Sequence, residues 1–163
     1  MKYYLGIDPG SSSGAFALLL PTYQYGKIIN WGFVTKRFKD YTEPELCEIL
    51  NNWVITAKDS GGAIEAILED IHLMPKQGIS SGGKFMRNKG LLEGFLMALK
   101  IPYKKVSPQR WVKHYGMKKD PLETKTQWKN KLRQRAQELF PDVKIQAETA
   151  DAILLANYLK EIL

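Results

Sequence analysis

The stretch Y-Y-L-G-I-D-P-G, residues 3–10, decides how this chain is interpreted. Residues 3–7 form a short apolar run typical of a buried strand, and Pro9 and Gly10 supply turn chemistry where the run ends. Asp8 lies at that end. A carboxylate at the end of a buried strand costs desolvation free energy unless a positive group meets it. Asp8 is therefore a candidate metal ligand, and an ordinary turn former is the alternative that the stretch leaves open.

A second pair of acids follows another buried strand. Residues 63–68 are a continuous β-rich run that leads directly into Glu69 and Asp70. Successive side chains of a strand point to opposite faces, so only one of these two can join Asp8. Spacing alone does not say which one does. The alternative is that both are solvated charges at the end of a strand.

A third pair lies near the C-terminus. Glu148 and Asp151 are three residues apart in an apolar helical pattern predicted over residues 147–163, so we expect them to share one helix face. Small alanines flank them, which predicts a helix packed close on the sheet with its acids facing a cleft. The alternative is that both acids have no role beyond stabilising the helix, because negative charge near a helix N-terminus interacts favourably with the helix dipole.

Convergence of these acids would require a cation. Two unit charges about 4 Å apart repel by about 4 kcal/mol at an effective dielectric constant of about 20. Mg²⁺ is the natural counterion, because it prefers hard oxygen ligands and also engages substrate phosphates.

The remaining pattern predicts an α/β sandwich around a mixed central sheet. The predicted strands are residues 3–7, 15–20, 27–35, 63–68 and 103–106. The predicted helices are residues 42–61, 84–99, 107–115, 123–140 and 147–163. Short turns join the first three strands, which favours an antiparallel meander, and the fourth follows a helical crossover, which favours a parallel neighbour. Residues 74–84 are rich in Gly, Ser and Lys and are predicted to form a loop.

Composition narrows the class of protein. A length of 163 residues fits one domain, residues 1–163. The net charge of +7 suggests an anionic partner, with a merely soluble basic protein as the alternative. The single cysteine, Cys47, can form no internal disulfide, and no apolar run is long enough to span a membrane. We therefore expect no membrane partner and a cytoplasmic location, in a bacterium or in the host of a phage.

Basic residues concentrate in one segment. Residues 100–135 contain twelve Lys or Arg against two acids, with Trp111, Tyr115 and Trp128 interleaved. Phosphate neutralisation supplies most of the sequence-independent affinity for DNA, so this segment is a candidate DNA footprint. For residues 129–135 a solvated helix face is the alternative.

The acidic segments resemble the three acidic motifs of RuvC-type Holliday-junction resolvases. They are G-I-D-P-G-S at residues 6–11, L-E-D-I at residues 68–71 and Q-A-E-T-A-D-A-I at residues 146–153. The segment S-P-Q-R-W-V-K at residues 107–113 is also similar. The resemblance implies a ribonuclease-H-like fold, with a mixed five-stranded sheet flanked by helices. It further implies a homodimeric endonuclease that uses two Mg²⁺ ions per active site, with Mn²⁺ as an alternative.

The resemblance also assigns roles to residues. Catalytic and metal-binding roles fall on four carboxylates: Asp8, Glu69, Glu148 and Asp151. The family pattern selects Glu69 rather than Asp70, and it usually has Asp where this chain has Glu148. Lys113 and Lys125 match positions where basic side chains approach the DNA backbone near the cut, and their charge would stabilise the transition state.

DNA contacts are predicted at further basic positions. They are His72, Lys76, Lys84, Arg87, Lys89, Arg110, Lys118 and Lys119. In the family, an aromatic residue three places after the glutamate stacks at the branch point. His72 holds that place here and stacks less well, so a structural role is the alternative and junction opening would then depend on other groups. The predicted helix 84–99 carries Gly90 and Gly94 and is the candidate dimer interface.

Together these features predict an endonuclease that resolves four-way DNA junctions by paired symmetric nicks. One alternative is a related nuclease that acts on flaps, other branched DNA or RNA–DNA hybrids. Another is a nucleic-acid-binding protein without catalytic activity. An actin-like ATPase, suggested by the glycines and serines after Asp8, would need a longer chain and a second phosphate loop.

Overall fold

A computed structural model describes residues 1–72 and 78–163, and the structural statements below concern those residues. Lys76, one of the predicted DNA contacts, lies outside them. The strands are β1 (Lys2–Asp8), β2 (Ala15–Gln24), β3 (Lys27–Arg37), β4 (Ala63–Glu69) and β5 (Tyr103–Val106). The helices are α1 (Glu43–Asp59), α2 (Ile79–Ala98), α3 (Pro108–His114), α4 (Lys125–Leu139) and α5 (Ala150–Ile162). A short 3₁₀ helix, Phe38–Asp40, follows β3.

The five strands form one mixed sheet in the order β3-β2-β1-β4-β5. The first three are an antiparallel meander, as predicted, with Tyr25 and Gly26 both at positive φ in the hairpin turn between β2 and β3. Strand β4 is parallel to β1, and β5 is parallel to β4. Helices α1 and α2 provide the crossovers that parallel pairing requires. The predicted mixed sheet is therefore confirmed.

Two helices begin at positions that differ from the prediction. Helix α2 begins at Ile79 rather than at residue 84, because the Ser and Gly residues interpreted as loop continue the helix. Their low helix propensity is a weak preference that tertiary packing overrides, and Gly82 is buried. Helix α5 begins at Ala150 rather than at residue 147, with Thr149 as its N-cap. Glu148 therefore precedes the helix.

The core lies in two layers, one on each face of the sheet. Helices α1 and α2 cover one face, where the buried side chains include Leu5, Ile7, Phe16, Leu46, Leu50, Leu68, Leu92 and Leu96. Helices α3, α4 and α5 cover the other face, where they include Tyr4, Leu19, Ile67, Trp111, Leu132 and Ile153. The strand period of two sends neighbouring residues to different layers.

Helix α5 packs backbone to backbone on β1. A Cβ atom added at Gly6 would lie 2.0 Å from the carbonyl oxygen of Ala152 and 2.5 Å from the amide nitrogen of Ala156. All ten residues from Ala150 to Leu159 are buried. The close packing predicted from the alanines is thus confirmed, and it sets the position of Asp151 over the end of β1. Within residues 1–72 and 78–163, no helix has the length and apolarity to cross a membrane.

Candidate active site

Asp8 and Glu69 end two adjacent parallel strands. Ile7 pairs with Leu68, so the residues that follow them lie side by side at the carboxyl edge of the sheet. Both side chains are 5% exposed. The alternation along β1 places Asp8 on the same face as Gly6, which is the face that α5 covers. The sheet therefore directs two buried carboxylates toward the start of α5.

Local hydrogen bonds orient both carboxylates. The backbone N–H of Gly10 donates to Oδ1 of Asp8 at 3.1 Å, so the turn after β1 holds this side chain. The indole N–H of Trp111 donates to Oε1 of Glu69 at 2.8 Å, in a buried contact between α3 and β4. Each carboxylate keeps a further oxygen for another partner.

Asp151 completes the group from the first turn of α5. Its side chain is buried, and the ammonium of Lys129 in α4 donates to its Oδ2. Its Oδ1 is buried without a hydrogen-bond partner among the described residues. An unsatisfied buried carboxylate oxygen is costly in free energy, so this atom is available to a cation or a donor.

Burial, and then mutual repulsion, raises the pKa values of two acids in this group. Burial, reinforced by the charge of Asp151, raises the pKa of Asp8 to about 6. Burial and then the charges of Asp8 and Asp151 raise the pKa of Glu69 to about 8. Burial lowers the pKa of Lys129, but the three carboxylates outweigh that effect and its pKa stays above the ordinary value. Lys129 is therefore a charged counterion to three mutually repelling acids.

The contribution of Asp8 and Glu69 to the stability of the metal-free protein should fall as pH rises from about 4 to about 8. In the unfolded chain Asp8 and Glu69 ionise near their ordinary pKa values of 3.8 and 4.5. Both folded pKa values are raised, so between the two sets of values the native state binds more protons than the unfolded chain. A rise in pH then favours unfolding, and the stabilisation present below pH 4 is lost through pH 8.

Glu69→Gln isolates one part of this effect. In EDTA at pH 8.5 the variant should be more stable than the unchanged protein to urea unfolding by a few kcal/mol, since each pKa unit corresponds to about 1.4 kcal/mol. At pH 4 the two proteins should differ little. Equal stability at both pH values would show that Glu69 does not carry this charge repulsion.

Asp70 points away from the other acids. The ammonium of Lys89 in α2 donates to its carboxylate, and Nε2 of His72 lies 3.7 Å from Oδ2. The hydrogen bond from Lys89 holds the pKa of Asp70 below its usual value. The structure thus places Glu69, and not Asp70, beside Asp8.

Glu148 differs from the prediction. It was expected to share a helix face with Asp151, but it precedes α5 and its Oε1 accepts from Lys39 Nζ at 3.0 Å, with Arg37 at 3.9 Å. A backbone N–H and the Lys39 ammonium hold its pKa below the usual value. The expectation of a shared face is wrong, because Thr149 caps the helix after Glu148. The structure brings Asp8, Glu69 and Asp151 together and engages Glu148 elsewhere.

The donor set matches the chemistry of Mg²⁺, although no three acidic, histidine or cysteine side chains in the described ranges are already arranged as a metal site. Three buried carboxylates are hard oxygen donors, and one oxygen of Asp151 has no partner. The ammonium of Lys129 already supplies the positive charge to Asp151. A metal could bind Oδ1 while Lys129 keeps Oδ2, but the ammonium would still repel the metal and compete with it for the carboxylate.

The basic residues predicted to act near the cut are exposed. Lys113 lies in the last turn of α3, and Lys125 begins α4. Lys125 also lowers the pKa of Asp8 through its charge, so it faces the same region of the molecule. Lys118 and Lys119 lie in the exposed segment between these helices, and Arg110 is exposed on α3.

The predicted DNA contacts on the opposite side of the sheet differ in exposure and in ion pairing. Lys84 and His72 are exposed. Arg87 forms a two-pronged ion pair with Glu43 of α1, with the second N–O contact at 3.0 Å. Lys89 is 7% exposed and paired with Asp70, so the prediction of a surface contact to DNA does not fit its position. A buried lysine persists only with a partner charge, and here that charge comes from the strand end.

Sequence reasoning missed two residues of the site. The sequence places Lys129 in a segment for which a solvated helix face is the alternative. It marks Trp111 as an aromatic among basic residues and as part of the similar segment 107–113, without a role in the site. The signal for Lys129 was its helical spacing, because Leu132 and Ala136 share its side of α4 and are both buried. No comparable signal in the sequence pairs Trp111 with Glu69.

The architecture is the ribonuclease-H-like fold, a mixed five-stranded sheet with flanking helices. Among solved structures it is similar to Thermus thermophilus RuvC in complex with a Holliday junction substrate, with a TM-score of 0.55 and 11% identity over 98% of this chain and 96% of that one. A second Thermus thermophilus RuvC structure matches with a TM-score of 0.52, at the same identity and coverage. No family model and no curated protein matches the sequence. At this identity the likeness establishes the fold.

Proposed function

We propose that this protein is a divalent-metal-dependent endonuclease that resolves four-way DNA junctions by paired symmetric nicks. One observation carries the proposal: Asp8, Glu69 and Asp151 converge, buried, beside a segment rich in exposed lysines. A protein that only binds DNA gains nothing from clustered negative charge near a polyanion. Metal-dependent phosphodiester hydrolysis uses such a cluster.

Asp8, Glu69 and Asp151 would hold the metal, with two Mg²⁺ ions per site and Mn²⁺ as an alternative. When bound, such ions activate a water for attack on the phosphorus and stabilise the leaving 3′ oxygen. Trp111 restrains the Glu69 carboxylate through its N–H. Lys113 and Lys125 would bind the phosphates that flank the cut and stabilise the charge of the transition state. Glu148 is left out of the ligand set because Lys39 and Arg37 engage it.

Removal of Lys129 should strengthen metal binding. Lys129→Met deletes the ammonium that competes for Asp151, and two like charges about 4 Å apart repel by about 4 kcal/mol near a protein surface. We expect the Kd for Mg²⁺, measured by calorimetry, to tighten by about tenfold or more. In EDTA at pH 8 the same variant should melt at a lower temperature, because the three acids lose their counterion.

Lys131→Met is the matched control for this measurement. Lys131 lies on the same helix but pairs with Glu123, and its side chain is about half exposed. Its removal changes the net charge equally and should leave the Kd for Mg²⁺ nearly unchanged. If both variants bind Mg²⁺ like the unchanged protein, Lys129 does not compete with the metal.

A comparison of substrates tests the proposed activity directly. Labelled four-way junction, flap, linear duplex and RNA–DNA hybrid are incubated side by side with the protein, with Mg²⁺ or with EDTA. The expected result is metal-dependent cutting of the junction, with nicks at symmetric positions in two opposing strands. Preferential cutting of flaps or hybrids would support the alternative nuclease, and binding without cutting would support the non-catalytic alternative.

Paired nicks require two active sites, and a two-fold homodimer matches the pseudo-two-fold symmetry of a four-way junction. Helix α2 is the proposed interface. A Cβ atom at Gly90 or Gly94 would meet nothing within 4 Å among the described residues, so this part of α2 is open to a second backbone. A dimer at micromolar concentration in light scattering is expected, and a strict monomer would count against paired nicking.

A further inference from the structure

A cavity of about 630 Å³ opens directly beside the carboxylates. Glu69 and Asp151, both buried, are among the residues that line it. Its apolar walls come from α3, from the segment after α3 and from α4, and they are Trp111, Val112, Met117, Trp128 and Leu132. Lys113, Lys118 and Lys119 also line it, and all three are exposed. Its size is within the range of small-molecule sites.

Trp128 is the aromatic surface available in this cavity. Trp111 is 2% exposed and is held by its hydrogen bond to Glu69, so its ring is already used in the core. Leu132 is fully buried. Trp128 is only partly buried, as are its neighbours Val112 and Met117. An occupant would therefore meet an indole ring and two apolar side chains.

The charges around the cavity restrict what can occupy it. The buried carboxylates in its lining repel an anionic group, whereas the exposed lysines in its lining attract anions. A ligand that fits both has a flat uncharged ring between negatively charged groups. Nucleotides in a DNA strand have this form, because every base has a π-face and is flanked by phosphates.

We propose that this cavity accepts one unpaired nucleobase of the strand whose phosphate reaches the carboxylates, stacked against Trp128. The inference rests on the proposed nuclease function and adds a mode of substrate selection to it. A base inside a duplex must unstack before it can enter, and the cost is least where the base is already unpaired. The pocket thus favours DNA in which pairing or continuous stacking is interrupted, as stacking is at the branch point of a four-way junction.

Trp128 is better placed than His72 to stack on a base near the carboxylates. His72 lies beside Asp70 on the other side of β4 from Glu69, and its side chain is 81% exposed. Imidazole offers a smaller stacking surface than indole. Trp128 supplies the larger aromatic surface, and it does so next to the carboxylates.

Binding measurements on modified junctions test the proposal without any cleavage. In EDTA, fluorescence anisotropy gives the Kd for a four-way junction and for a series in which single nucleotides near the branch point are made abasic. One position should weaken binding by about tenfold, the effect of losing one stacked base. Trp128→Leu should weaken binding of the intact junction by a similar factor and should be insensitive to the abasic site at that position.

Two further variants keep the test specific. Trp128→Phe retains a ring and should retain most of the dependence on that base, which also shows that the fold tolerates substitution. Trp31→Leu removes a tryptophan that packs on Tyr4, away from the cavity, and should behave like the unchanged protein. The pocket is refuted if no abasic position matters, or if Trp128→Leu keeps the full sensitivity.

The outcomes separate this inference from the proposed function. Metal-dependent cutting of junctions by a protein whose binding ignores Trp128 would refute the base pocket alone. Base-dependent binding that requires Trp128, in a protein that cuts no DNA, would support the pocket and refute the nuclease.

Discussion

Asp8→Asn should abolish cutting of a four-way junction and leave junction binding intact. The substitution keeps the size of the side chain and an oxygen that can accept from the Gly10 N–H, so the turn after β1 is preserved. It removes the negative charge that a divalent metal requires. Metal ions supply several kcal/mol of transition-state stabilisation, and we expect the cutting rate to fall by about a thousandfold or more.

Binding and cutting must be measured on the same preparation. Anisotropy in EDTA should give a Kd within about twofold of that of the unchanged protein, or slightly tighter, because a buried negative charge near the phosphates is gone. Gel analysis of the labelled junction in Mg²⁺ gives the rate. Retained cutting by Asp8→Asn would overturn the assignment of this carboxylate.

Asp70→Asn is the matched control. Asp70 directly follows Glu69 at the end of β4, but it pairs with Lys89 on the other side of the sheet. Asparagine keeps an acceptor for that ammonium but removes its partner charge, so the variant should be less stable to urea. At a temperature where it is folded, it should cut at a rate close to that of the unchanged protein. A loss of cutting as large as that of Asp8→Asn would mean that charge in this region matters without regard to its position.

Local sequence patterns were sufficient to predict the sheet and to single out Asp8 and Asp151, whereas the choice of Glu69 over Asp70 rested on the family resemblance. Strand β1 and strand β4 are apolar runs that end in carboxylates, and such runs are recognised from residues close together in the chain. The antiparallel meander followed from short turns, and the parallel pair from an intervening helix. The side-by-side position of Asp8 and Glu69 is a consequence of that register.

What could not be predicted depends on contacts between distant segments. The start of α5 after Thr149 separates Glu148 from Asp151, and the attraction of Lys39 for Glu148 comes from a residue 109 positions away. Lys129 and Asp151 are on different helices, and only the packing of α4 on α5 brings them together. Sequence periodicity relates only residues that are close together in the chain, so it cannot predict the partners of these charges.

The arrangement of buried acids that we propose to bind metal also lowers the stability of the metal-free protein. Burial and mutual repulsion raise the pKa values of Asp8 and Glu69, which means that their ionised forms are held at a cost in folding free energy. The close packing of α5 on β1 keeps Asp151 near the other two acids. The free energy of that packing must therefore offset the cost of holding the charges together. Gly6 is the residue that permits this packing.

Gly6→Ala should therefore destabilise the protein and disrupt the site together. The added Cβ would lie 2.0 Å from the Ala152 carbonyl oxygen and 2.5 Å from the Ala156 amide nitrogen, and both are backbone atoms of a buried helix. Helix α5 has to move away from β1, which costs about 3 kcal/mol or more for overpacking of this severity. Asp151 moves with the helix, so cutting and Mg²⁺-induced stabilisation should both decrease strongly.

Gly32→Ala is the control for this prediction. Gly32 lies in the edge strand β3, and a Cβ atom there would meet nothing within 4 Å among the described residues. Its replacement should leave urea unfolding within about 0.5 kcal/mol of the unchanged protein, the usual range for substitutions away from packed contacts. Equal stabilities of Gly6→Ala and Gly32→Ala would contradict the backbone contact between β1 and α5. That contact places Asp151 at the end of the sheet where Asp8 and Glu69 meet, and Lys129 then pairs with it.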